Sequence, residues 1–246
     1  RINRLISGDV SLAASMMKTA NSPFFALRSK VQSVQQAVAV LGLKNILKVV
    51  TGLELQRSLG KGGGVSMERF WERSNLHAAI CGCLARRLPG TSVEDAYTFG
   101  LFHDCGIPIL MRRYPDYKKT LGEANRRIDL PFTAIEDEIH GTNHAVIGYL
   151  MARNWGLPET VSSAILSHHD FSVFNDGSGL SDESCTLIAL ALLAERIVGT
   201  FLRLNEDGEW EKGKGAVAGF FGLTETDLND IVDDLLFKLD SARKAA

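Results

Sequence analysis

The chain has 246 residues, 45% hydrophobic and 23% charged, which suits one large globular domain or two small lobes with a sizeable core. A net charge of -2 supplies no global basic field for nucleic acid or an anionic membrane surface, so direct nucleic-acid binding is not expected. No apolar run approaches the roughly 18 residues of a membrane span and no signal peptide is visible, so the expectation is a cytoplasmic protein without a membrane partner.

In chain order, residues 10–20 carry apolar side chains at helical spacing, with Asp9 as N-cap and Asn21-Ser22-Pro23 as terminator. A second helix is predicted over 33–41, closed by Gly42, and a third over 45–59. The glycine run at 60–64 lacks both the strand and the Lys-Ser/Thr ending of a phosphate-binding loop and reads as a joint. It divides a small N-terminal helical lobe, 1–60, from a larger helical domain, 65–246. That domain continues with helices over 67–88, over 95–103 with a break at Gly106 and Pro108, and over 114–127. Another starts at Pro131 and stops at Gly141, followed by 144–154 and 159–169. A polar loop at 172–183 precedes a long apolar helix, 186–204. Residues 208–215 read as a charged turn, and 224–238 as an amphipathic helix capped by Thr224 and Asp227. Strand signals are weak and no repeat is present, so the class is all-α. The first residues already read as helix although the chain begins at Arg1, which suggests a piece of a longer protein.

The chemistry-bearing residues cluster. All six histidines, His77, His103, His140, His144, His168 and His169, lie in the middle of the chain, and two runs pair them with acids: His103-Asp104 and His168-His169-Asp170. Imidazole and carboxylate together suit Fe, Mn, Ni or Zn better than Mg or Ca. A helical bundle can turn several such faces onto one site. Cys81, Cys83, Cys105 and Cys185 have no zinc-finger spacing, and the first two point to different faces of one helix, so free thiols are expected. His140 reads as a capping or surface residue, Trp155 as a packing anchor, and Met16, Met17 and Met111 as core fillers.

Four segments in order, GDVSLAASMMKTANSPFF, VQQAVAVLGLKNI, GLFHDCG and HAVIGYLMARNWGLPETVSSAILSHH, resemble the HDOD family of the HD metal-dependent phosphohydrolase superfamily, over roughly residues 5–240. The resemblance implies a multi-helix HD-type bundle with a smaller N-terminal lobe. It also implies one or two divalent transition metals held by His77, His103, Asp104, His144, His168 and His169. Asp104 is the expected bridging ligand, Glu195 stands at the distal acid position, and Asp170 is placed to orient His169. The implied chemistry is hydrolysis of a phosphoester, such as a nucleotide or cyclic nucleotide, by a metal-activated water. Two departures bear on it: Glu195 replaces aspartate, and Ile107 stands where relatives carry a phosphate-facing lysine, with Arg112, Arg113 or Lys118 as substitute cations. The resemblance equally implies a non-catalytic bacterial signal-output module, joined to a receiver or sensor partner, with a structural or vestigial metal site.

Overall fold

The computed structural model describes residues 10–21, 30–42, 46, 50, 65–175, 177–204 and 208–244. The chain divides into two compact units, 1–71 and 72–246. Every regular element among the described residues is helical, so the fold is an all-α bundle with a smaller N-terminal part.

In the first unit, α1 (Val10–Ala20) and α2 (34–42) enclose a core of Met16, Ala20, Val31, Ala37, Leu41 and Ile46. Asn21 fixes the chain after α1: its Nδ2 donates to Val31 O at 2.9 Å and its Oδ1 accepts from Val31 N at 2.6 Å. Ser33 Oγ caps α2 by accepting from Gln36 N, and Gly42 closes it in the left-handed region at φ 72°. The helix expected over 45–59 (Ile46 and Val50 apart) and the glycine run at 60–64 lie outside the described residues.

The second unit takes over within α3 (Val65–Leu84). Then come α4 (Val93–Phe102), α5 (Ile107–Arg113), α6 (Tyr117–Arg126), α7 (Phe132–His140), α8 (His144–Asn154) and α9 (Glu159–Ser167). A 3₁₀ turn (Phe171–Phe174) leads to α10 (Asp182–Phe201), α11 (Gly208–Phe221) and α12 (Glu225–Lys244). The centre is α10, buried without interruption from Ser184 to Ala194 and packed on α4, α9, α11 and α12. A helix apolar on all sides is a core helix. Fully buried Leu187, Leu190 and Leu193 each contribute roughly 1.5–3 kcal/mol. Contrary to expectation, α10 is long and apolar enough to cross a membrane by length and composition, but it is mostly buried in protein.

Three stretches differ from the sequence reading. Gly106-Ile107-Pro108 begins α5 instead of breaking the chain, because proline is tolerated in the first turn, where its missing N–H has no helical partner. Helix α10 starts at Asp182, inside the expected loop, because Ser181 Oγ accepts from Ser184 N and two acids occupy its first turn. The expected charged turn at 208–215 is the first half of α11. Its glycines serve close packing: a Cβ on Gly213 would sit 2.5 Å from Leu192 Cδ2, and one on Gly208 would sit 2.3 Å from Asn125 O. The cap of α12 is as expected, with Thr224 and Asp227 bonding reciprocally.

Candidate metal centre

Small residues set the distances between the elements that carry the histidines. Gly100 in α4 lies against α3, where a Cβ would approach Ala78 Cα to 2.8 Å. That closeness stacks His77 of α3 on His103 at the end of α4, with ring centroids 4.3 Å apart. Gly106 presses on the start of α8: a Cβ there would be 2.1 Å from His144 O. The turn after Asp104 is thereby held against His144. Asn143 caps α8 by accepting from Val146 N and donates to Asp137, which fixes where His144 enters the helix. His168 and His169 follow α9 directly, and Phe132 of α7 stacks on His169 at 4.7 Å.

These elements bring one ligand atom each from Asp104, His144, His168 and His169 within 4.8 Å of one another. His144 Nε2 is 3.2 Å from His168 Nε2 and 3.1 Å from His169 Nε2. Asp104 Oδ1 is 3.5 Å from both His144 Nε2 and His168 Nε2. The other ring nitrogens decide the tautomers. His144 Nδ1 faces Glu136 Oε2 at 2.6 Å, His168 Nδ1 faces Ile165 O at 2.7 Å, and His169 Nδ1 faces Glu209 Oε2 at 2.5 Å. Each Nδ1 thus donates its N–H to an oxygen, and each Nε2 turns a lone pair on the same point. Three lone pairs and a carboxylate oxygen converging there repel unless a cation lies between them. A tetrahedral site with bonds of about 2.0–2.1 Å puts neighbouring ligand atoms roughly 3.3 Å apart, close to the 3.1–3.5 Å from His144 to His168, His169 and Asp104 and from His168 to Asp104. The donor set therefore fits a divalent metal.

Protonation agrees with that fit. Burial, then the charge of His168, lowers His169 to about 4, so the ring is neutral near pH 7. Burial alone would raise Asp104, but the charge of His103 and its hydrogen bond hold it well below the usual carboxylate range. Two acids that the sequence reading missed support the imidazoles. Glu136 of α7 is fully buried between His144 Nδ1 and the Tyr117 hydroxyl, which donates to Glu136 Oε1. Burial and the Glu136 charge push the Tyr117 phenol up, keeping it a donor. Glu209 of α11 accepts from His169 and, at 2.6 Å, from Lys212 Nζ; burial would raise it, but these two partners bring it to about 2.

A family model, the HDOD domain, matches residues 1–171. The chain belongs to the HDOD family. Solved structures of similar fold include an HDOD domain protein of unknown function from Geobacter sulfurreducens, with a TM-score of 0.68, 22% identity, and coverage of 99% of this chain and 84% of that one. A candidate signal transduction protein from Marinobacter aquaeolei has a TM-score of 0.68 and 27% identity, over 99% of this chain and 53% of that one. A candidate phosphohydrolase from Shewanella amazonensis has a TM-score of 0.64 and 20% identity, over 95% and 81%. An uncharacterised Treponema pallidum protein is 26% identical over 68% of this chain, which spans 32% of its length.

Three further expected ligands of this HDOD domain, His77, His103 and Glu195, line a small cavity beside the His/Asp cluster together with His168, His169, Glu209, Phe171, Ala191 and Leu192. They have protein partners. His77 Nε2 donates to Ala191 O at 3.1 Å, and its Nδ1 lies 3.5 Å from Cys81 Sγ. His103 Nδ1 donates to Gly100 O at 3.1 Å, and its Nε2 faces Asp104 Oδ2 at 3.2 Å, so the two oxygens of Asp104 address different histidines. Glu195 accepts from Arg73 Nη2 at 2.8 Å. Asp170, expected to orient His169, instead caps the 3₁₀ turn through Ser172 N and Oγ, and Glu209 holds His169. Ile107 is buried, Arg112, Arg113 and Lys118 are exposed, and none of the four lines the cavity. The cations tied to the cavity's acids are Arg73 and Lys212. His140 ends α7, stacks on Tyr114 and shares a hydrogen bond with Thr120 Oγ1 at 2.9 Å, away from the cluster. Trp155 packs on Phe102, and all four cysteines are free.

Proposed function

We propose that this HDOD domain is a signalling module organised around one divalent transition metal held by Asp104, His144, His168 and His169. The observation that carries the reading is the convergence of three imidazole lone pairs and a carboxylate oxygen on one point. Four protein ligands from the ends of three helices make a closed site, the kind that fixes structure. Of the other residues implied as ligands, His77 has both ring nitrogens engaged, by Ala191 O and Cys81 Sγ, and Glu195 is held by Arg73, which supports a single ion. The donor set favours Zn, Fe, Mn or Ni. The 27% identity to a candidate signal transduction protein supports the signalling role, with a receiver or sensor domain as the proposed partner. Plasma mass spectrometry of the purified chain tests the metal: close to one transition ion per chain is expected, lost in Asp104→Ala. No uptake after anaerobic reconstitution with Fe or Mn removes the reading.

A second reading, phosphoester hydrolysis, is favoured by the cavity that reaches His168 and His169 beside the ligand point. A divalent ion held by Asp104, His144, His168 and His169 would supply Lewis acidity and a more acidic water. The cavity wall carries Glu195 and Glu209, so a phosphate has to compete with them for Arg73 and Lys212. Turnover of a chromogenic phosphodiester by the metal-loaded protein, abolished in Asp104→Ala, supports this reading, and absence of turnover leaves the first.

A further inference from the structure

The two buried carboxylates behind the metal centre are not equivalent. Glu209 accepts from His169 but also bonds Lys212, so its charge is offset locally. Glu136 is fully buried and has two neutral donors, the Tyr117 hydroxyl and the His144 Nδ1–H. Among the described residues its one ion-pair contact is His144. A buried anion without a cation is strongly unfavourable. A positive charge on His144 Nε2, across the same ring, is placed to offset it.

We infer that Glu136 is the positioning residue of the centre, its charge compensated through the His144 ring by the bound ion, so that metal affinity depends on the charge of Glu136 and not on its hydrogen bond alone. The inference rests on the metal centre proposed above. With an ion on Nε2 the ring keeps its proton on Nδ1, and Glu136 Oε2 accepts it. Tyr117 holds the other oxygen, so the carboxylate cannot turn away from the ring. Without the ion, the Glu136 carboxylate keeps only the Tyr117 hydroxyl and the His144 Nδ1–H as partners.

The test uses Co2+ alone as probe, with the whole chain, its visible d–d absorption and its thermal unfolding as readouts. Glu136→Gln keeps both hydrogen bonds, because the amide oxygen accepts from His144 and the amide nitrogen donates to the Tyr117 oxygen, but it removes the charge. Co2+ affinity is expected to fall 10–100-fold, with a shifted absorption band and an apo Tm no lower than the parent's. Glu209→Gln is expected to lose less. Tyr117→Phe guards against a misfolded Gln variant: with one donor gone the carboxylate leans harder on the ion, so the apo Tm falls and the Co2+-induced rise widens. Equal Co2+ affinity and an unchanged band in Glu136→Gln overturn the inference and leave the metal centre standing, as does an unchanged rise in Tyr117→Phe. No Co2+ uptake by the parent chain overturns both.

Discussion

At His169 and Glu209 both members of the buried pair cost stability under acid, in two successive pH windows. His169 is lowered to about 4 in the fold against about 6.5 unfolded, so between these values the unfolded chain binds a proton that the folded chain refuses. The fold therefore loses stability as pH drops from about 6.5 towards 4. Glu209 is lowered to about 2, so its contribution is full above about 4.5 and drains away as pH falls through 2. Thermal unfolding of the metal-free protein is expected to show a Tm that declines steadily below pH 6.5, and a flat Tm from 6.5 to 4.5 contradicts the burial of His169. Gly106→Ala is expected to break the centre sterically, because a Cβ would lie 2.1 Å from His144 O. The backbone must shift, at about 1–3 kcal/mol of stability, and metal content should fall with it, as urea denaturation and metal analysis would register. The ligand cluster is legible in the sequence because His103-Asp104 and His168-His169 announce themselves by type and adjacency. Glu136 and Glu209 are not, since a glutamate in a helical pattern reads as a solvated face until tertiary packing buries it. Asp170 misleads for the reverse reason: next to His169 in sequence, it spends its carboxylate on Ser172.

Helix α11 shows why an element can hide. Its first half reads Gly-Glu-Trp-Glu-Lys-Gly-Lys-Gly, a composition that propensity assigns to a turn. Packing overrules propensity because Gly213 lets α11 approach Leu192 and Phe171 more closely than any side chain allows. The same packing hides both this helix and Glu209 from the sequence. Gly213→Ala improves local helix propensity yet is expected to destabilise the protein by about 1–3 kcal/mol and to weaken metal binding by displacing Glu209. A Gly213→Ala chain as stable as the parent in urea would show that α11 has room to spare. By contrast α8 falls on the residues expected for it, because Asn143 caps its start and Gly156-Leu157-Pro158 follows its end.

For the molecule as a whole, the all-α class and the HDOD family were legible because motif order survives where individual motifs are weak. The core role of α10 was not, because burial on every side erases the periodicity that marks a helix face. An ion held by the proposed ligands would couple three helix ends, with His144 and His168 separated by 24 residues, and so would bind the folded chain and not the unfolded one. Loading to a hundred times Kd adds about 2.7 kcal/mol, or roughly 5–11 °C in Tm for a domain of this size. Chelation is expected to reverse that rise in a thermal-shift assay.

Helix α10 carries a further consequence, for synthesis. It leaves the ribosome with the length and composition of a membrane segment, and two of the helices that cover it, α11 and α12, are made after it. Until they emerge, targeting factors and chaperones meet an uncovered apolar helix. A chain stopped at residue 204 is therefore expected in the insoluble or membrane fraction of the cell, although it contains every proposed ligand.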